Sequence, residues 1–185
     1  MLFRSDHSGI GDGRILRRIP RASARPMPWK NGGGTTHEYL REGTGPEGWA
    51  LRLSLAEVFS SGPFSRFPGI DRHISCVQGA GFRLTRADGL TQLVHRQPFA
   101  FHGEDDWNCT LLEGPVWDFN LMCMRSEGAA SMGSQGPGWI NGRFFLCLEE
   151  GRVGGEQVEA LELLELEGML WAGVPGLSIV LSSDG

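Results

Sequence analysis

Residues 49–58 read WALRLSLAEV, and residues 116–124 read VWDFNLMCM. Both alternate with a period of two. Trp49, Leu51, Leu53 and Leu55 share one face of the first segment; Ala50, Arg52, Ser54 and Ala56 share the other. In the second, Trp117, Phe119, Leu121 and Cys123 oppose Asp118 and Asn120. Successive side chains of a strand point to opposite sides of its sheet, so each segment reads as a strand with one apolar face. The polar faces admit two readings. They meet water, as one face of an antiparallel sheet commonly does. Or they line the mouth of a barrel, where a guanidinium and a carboxylate need partners. There Arg52 can receive a carboxylate in bidentate fashion, or Asp118 serves only to hold Arg52.

Outward from these segments, strand-length apolar stretches occupy 14–19, 35–41, 72–77, 81–86, 90–94, 98–101, 109–112, 143–149, 168–171 and 177–181. Turn signals such as Gly79-Ala80-Gly81, Asp88-Gly89 and Glu113-Gly114-Pro115 separate them. Residues 157–167 (QVEALELLELE) have helix-favouring composition, but glycines bracket them at hairpin distance, and they read as a strand. Gly makes up 28 of 185 residues, about twice its usual share, and helices tolerate it poorly. The expected fold is an all-β sandwich or barrel in two lobes. Residues 1–13 read as a flexible arm and 14–125 as the first unit. Residues 126–140, which hold the Gly/Ser-rich run SEGAASMGSQGPG, read as a linker. Residues 141–185 form a second, smaller unit, completed by N-terminal strands.

Composition excludes several classes. The formal charge is −5, from 17 basic and 22 acidic residues, which disfavours nucleic acid and anionic membrane as partners. No apolar run approaches the roughly 20 residues of a membrane span. The opening MLFRSDHSGIGDGR lacks an apolar signal core, so the expected location is cytoplasmic. The four cysteines form no C-x-x-C pair and read as small buried hydrophobes. Neither H-x-H nor H-x-x-x-H occurs among His7, His37, His73, His95 and His102; scattered histidines are favoured over a convergence of His37, His73 and His102. The nucleophile-elbow pattern G-x-S-x-G is absent. Lys30 is the chain's single lysine and precedes Gly32-Gly33-Gly34 and Thr35-Thr36. The run does not match a phosphate loop. It is either a turn with a solvated lysine or a backbone anion nest with a charge beside it.

The segments MPWKNGGGTTHEY (27–39), WALRLSLAEVFSSGPFSRFPGIDRH (49–73), QPFAFHGEDDW (97–107) and LLEGPVWDFNLMCMR (111–125) together resemble the HutD/Ves family. The resemblance implies a cupin-type fold with two β-barrel units. It also implies a part in restraining or tuning bacterial histidine utilization by binding a small metabolite such as urocanate or formylglutamate. No firmly assigned enzyme activity comes with it. Its motif positions fall here on Trp29, Lys30, Asn31, Thr35, Ser54, Ser61, Pro63, Phe64, Ser65, Phe67, Asp71, Arg72, Phe99, Phe101, Asp118 and Asn120. Metal-binding cupins carry G-x5-H-x-H-x3–4-E-x6-G; GPFSRFPGIDRHISCVQG (62–79) occupies that stretch here, which implies a barrel without metal or other cofactor. His73 departs from the aliphatic residue common in relatives.

The expected site is therefore a metal-free cup for a small anionic metabolite. Lys30 and Arg52 supply charge; Asn31, Thr35 and Ser54 supply hydrogen bonds; Phe99 and Phe101 supply an apolar wall; Arg72, Asp118 and Asn120 complete the set. The alternative is an isomerase or hydrolase, with Asp118 or His73 as general base and Lys30 as electrophile. A homodimer is the candidate assembly.

Overall fold

The computed structural model describes residues 12–182. The arm expected at 1–13 lies almost wholly outside that range. Apart from one 3₁₀ turn at Arg21–Ser23, the regular structure of the described residues is β. The strands form four antiparallel sheets. A six-stranded sheet runs Arg25–Pro28, Gly34–Glu42, Leu51–Val58, Val116–Met124, Ile70–Gln78, Phe99–His102. A four-stranded sheet runs Gly62–Pro63, Trp107–Leu111, Phe82–Arg86, Thr91–Val94. A five-stranded sheet orders Arg14–Ile19, Leu163–Glu167, Phe144–Cys147, Gly176–Ser182, Ala129–Gln135. A second four-stranded sheet orders Gly138–Ile140, Leu170–Ala172, Gly151–Val153, Glu156–Val158.

Side-chain alternation stacks these sheets. The two quoted segments pair antiparallel at the centre of the six-stranded sheet, with Asn120 opposite Ser54 and Met122 opposite Arg52. Leu51, Leu53, Leu55, Phe119, Leu121 and Cys123 pack onto Phe144, Leu146, Leu163, Leu177 and Ile179 of the five-stranded sheet. The opposite face, through Ala56, Val58, Ile74, Cys76 and Val116, packs onto Phe82, Leu84, Val94, Trp107 and Cys109. The five-stranded sheet is covered on both sides as well: Phe145, Cys147, Leu164 and Leu166 turn to a third core with Ile140, Val153, Val158 and Ala172. A sheet buried on both faces needs continuous rather than alternating apolar runs, which is why FFLC (144–147) is buried throughout.

Several sequence expectations need amendment. Trp49 precedes its strand and packs with Ile70, Met122 and Met124, not with Leu51, Leu53 and Leu55. Ala129–Gln135, inside the stretch read as linker, is an edge strand paired with Gly176–Ser182. Met132 is its one buried residue, so it shows no apolar period. Residues 157–167 are not one strand. Leu161 takes φ 61° and turns the chain from one sheet to the next. Glu162 fixes that corner: it accepts bonds from Arg18 Nε (2.8 Å), Arg18 Nη2 (2.9 Å) and the Glu159 amide (2.9 Å). The same contact ties strand Arg14–Ile19, which pairs with Leu163–Glu167, into the five-stranded sheet.

Candidate functional site

The inward face of the six-stranded sheet does not close fully onto its neighbour. Between them lies a cavity of about 530 Å³, lined from that face by Thr36, Arg52, Ser54, Arg72, Asp118, Asn120 and Met122. Phe64, Ser65 and Phe67 wall it from the 60–69 loop, and Trp29, Lys30 and Asn31 form its rim. Its size falls in the ~300–1,000 Å³ range of small-molecule sites.

Arg72 is the central group. It is 8% exposed, yet no carboxylate makes an ion pair with it among the described residues. Its guanidinium carbon lies 4.9 Å from the centre of the Phe101 ring and 5.4 Å from those of Phe64 and Phe67. Nη2 donates to Asn120 Oδ1 at 3.1 Å and Nη1 to the Ser65 carbonyl at 3.2 Å, while the buried Nε has no acceptor. Burial lowers its pKa to about 10, so it stays charged at neutral pH. Three aromatic faces attract the cation without neutralising it.

Asn120 passes the interaction on. Its amide nitrogen donates to Asp118 Oδ1, so its oxygen faces the cation and its nitrogen the carboxylate. Asp118 is 2% exposed, and burial raises its pKa to about 7, against the opposing pull of the Asn120 bond and the Arg72 charge. Burial and the Asp118 charge lift the thiols of Cys76 and Cys109 to about 11 and about 12, so both are neutral. Arg52 is better matched: its Nε donates to Glu38 Oε2 at 2.9 Å, and Glu38 also pairs with Arg41. Arg52 is therefore held by Glu38, not by Asp118.

The structure gathers Lys30, Asn31, Arg52, Ser54, Arg72, Asp118 and Asn120 around this one space. Lys30 is exposed at the rim, with no ion pair among the described residues. Thr35 does not join them. It shares the far side of its strand with His37, whose ring lies tilted against Trp117 at 5.2 Å; Thr36 faces the cavity and accepts from Trp29 Nε1 at 2.9 Å. Phe99 and Phe101 do not line it either. Phe101 packs behind Arg72, and Phe99 stacks on Phe101 at 5.6 Å beside a separate depression. The apolar wall comes instead from Phe64 and Phe67, signalled in the sequence by GPFSRFPG (62–69).

The glycine run is an ordered hairpin turn rather than an open nest. Gly32 takes φ 70°, and a side chain at Gly34 would meet the Glu57 carbonyl at 2.5 Å. The Gly32 amide donates to the Trp29 carbonyl, and the Gly33 amide to Asn31 Oδ1. These donors are spent on the turn, which fixes Lys30 at the rim. His73 lies on the opposite sheet face, opposite Leu121, so it cannot act with Asp118. Asp71 pairs with Arg125 (2.8 Å) and His102 (2.9 Å) outside the cavity. No three His, Cys, Asp or Glu side chains among the described residues are grouped to hold a metal ion. Nor is any helix among them long and apolar enough to cross a membrane.

Fold and site define an all-β protein of stacked antiparallel sheets whose six-stranded sheet carries a buried, incompletely paired arginine. The chain belongs to the HutD family, whose model matches residues 21–138, a span that holds every cavity-lining residue. It is 30% identical over 168 residues to Protein Ves of Citrobacter koseri, covering 79% of this chain and 88% of that one. It is 48% identical over 99 residues to an uncharacterized 21.2 kDa protein in the hutC 3′ region of Pseudomonas putida, and this match spans about half (52%) of each chain. Among solved structures, HutD from Pseudomonas fluorescens SBW25 superposes with TM-score 0.79 at 31% identity, over 90% of this chain and 99% of that one. A conserved protein of unknown function from Pseudomonas aeruginosa PAO1 superposes with TM-score 0.77, also at 31%, over 90% and 98%.

Proposed function

We propose that this chain binds a small anionic metabolite, without metal, in the cavity of its first unit, and that binding serves a regulatory role in histidine utilization. One observation carries the reading. Arg72 is buried and charged, shares the cavity with a carboxyl whose charged form burial disfavours, and lacks an acceptor for Nε. A buried cation with no carboxylate in direct contact is costly in a fold that needs only packing, and a bound carboxylate offsets that cost. Lys30, exposed at the rim, supplies a second charge for capture. The similarity to HutD, and to a protein from the hutC 3′ region, directs the choice of guest towards urocanate or formylglutamate.

The test is thermal unfolding of wild type, Lys30→Ala and Arg72→Met with urocanate, N-formylglutamate and unrelated acids. At one hundred times its dissociation constant the guest stabilises wild type by about 2.7 kcal/mol. The gain shrinks in Lys30→Ala and vanishes in Arg72→Met. Stabilisation by none of the acids contradicts the reading.

Asp118 favours a second reading. A carboxyl in a cavity with its pKa near 7 is suited to general base work on a bound acid. Turnover of a candidate acid, abolished by Asp118→Asn, separates that enzyme from a binder.

A further inference from the structure

Resting on the anion-site reading, we infer that the guest is a small carboxylic acid bound as its anion together with a proton: its carboxylate seats on Arg72 while Asp118 becomes a neutral hydroxyl donor in the same cavity. The arrangement of charges requires it. Asp118 faces Arg72 and Cys76 from strand Ile70–Gln78 and Cys109 from Trp107–Leu111, while Arg52 of Leu51–Val58 lines the same cavity opposite Met122. Asn120 lies beside it on its own strand, and Lys30 stands at the rim. The two thiols are neutral and Arg52 is answered by Glu38. Inside the cavity this leaves one cation, Arg72, against one carboxylate, Asp118.

A guest anion makes that balance negative beside two groups that are themselves buried. Taking one proton from solvent onto an Asp118 oxygen restores neutrality, and no other bond is made or broken. Asn120 permits the change. Its amide nitrogen donates to Asp118 whether that group is ionised or not, and its oxygen keeps its bond to Arg72. Burial already holds Asp118 up to about 7, and the field of a nearby anion raises it further, beyond the pH of the titration.

The experiment is calorimetric titration of the full chain with N-formylglutamate and with formate, near pH 8, in Tris and in HEPES, whose protonation enthalpies differ. The expected heats differ between buffers by the uptake of close to one proton per guest, and affinity falls about tenfold per pH unit above pH ~7.5. In Asp118→Asn the buffer dependence and the slope both disappear. Binding with equal heats in both buffers and flat affinity overturns this inference alone. Absence of binding by either acid overturns the anion-site reading and this inference with it.

Discussion

The Arg72 guanidinium carbon stands 4.9 Å from the centre of the Phe101 ring, on the flank away from the cavity. A buried cation is thus backed by an aromatic face and answered through an amide rather than by a carboxylate. Phe101→Leu removes the ring's contribution, worth ~0.5–2 kcal/mol for a desolvated cation–π contact. It also loosens the guanidinium. The expected result is lower stability in urea denaturation together with weaker binding of the acid.

Removing both buried charges separates function from stability. Arg72→Met combined with Asp118→Asn takes away a cation and an acid that the fold does not pair directly. Such replacements are commonly neutral or stabilising by about 1–4 kcal/mol. Denaturation is expected to show equal or greater stability, and calorimetry no heat on adding acid. Strong destabilisation would identify Arg72 as a structural group.

The Asp118 carboxyl gives stability a distinctive pH dependence. Its pKa rises from its usual 3.8 to about 7 on folding, because burial disfavours the charged form. Its contribution is fully present below pH ~3.8, is lost at about 1.4 kcal/mol per pH unit as pH rises, and is flat above about 7. Glu162 works in the opposite sense. Burial opposes its ionisation, but the bonds from Arg18 and the Glu159 amide win and hold its pKa below normal. Its stabilisation is present above its usual pKa and is lost as pH falls. The difference between wild type and Asp118→Asn, measured by denaturation from pH 4 to 8, isolates the Asp118 slope; a flat difference contradicts it.

Glu38 keeps Arg52 from acting as a second anion seat. Its Oε2 accepts from Arg52 Nε and its Oε1 pairs with Arg41 Nε, both at 2.9 Å. Glu38→Gln leaves the Arg52 charge unanswered at the cavity wall. Unfolding is expected at lower denaturant, by ~1–3 kcal/mol, and acids are expected to bind several-fold more tightly. Calorimetry and denaturation on the same variant check both.

Polar contacts cross between the six-stranded and five-stranded sheets, among them Arg143 with Glu42 at 2.7 Å and Tyr39 with Leu161. Tyr39 donates its hydroxyl to the Leu161 carbonyl at 2.6 Å, at the residue whose φ of 61° turns the chain between sheets. Tyr39→Phe leaves that carbonyl short of a donor and is expected to cost ~1–2 kcal/mol in denaturation, with acid binding unaltered.

The central strands and their faces were legible because one side is wholly apolar, which leaves a single register compatible with burial. Arg25–Pro28 carries two prolines and pairs along one edge only, and Ala129–Gln135 buries a single methionine; neither has a period to detect. In the site, Arg52, Arg72, Asp118 and Asn120 were found from alternation or motif. Thr35 is the position the family resemblance implies, yet its neighbour Thr36 faces inward, and two adjacent threonines carry no period that tells them apart. Phe64 and Phe67 reach the cavity from an irregular loop that no periodicity describes. The pairing of Arg52 with Glu38 joins neighbouring strands and required the register between them.

The most direct test is a crystal structure of the chain soaked or grown with N-formylglutamate or urocanate. The acid is expected inside the cavity, its carboxylate within hydrogen-bond distance of the Arg72 guanidinium and next to Asp118. An acid bound elsewhere with the cavity unchanged, or a cavity filled by collapse of Phe64 and Phe67 onto Arg72, would contradict it.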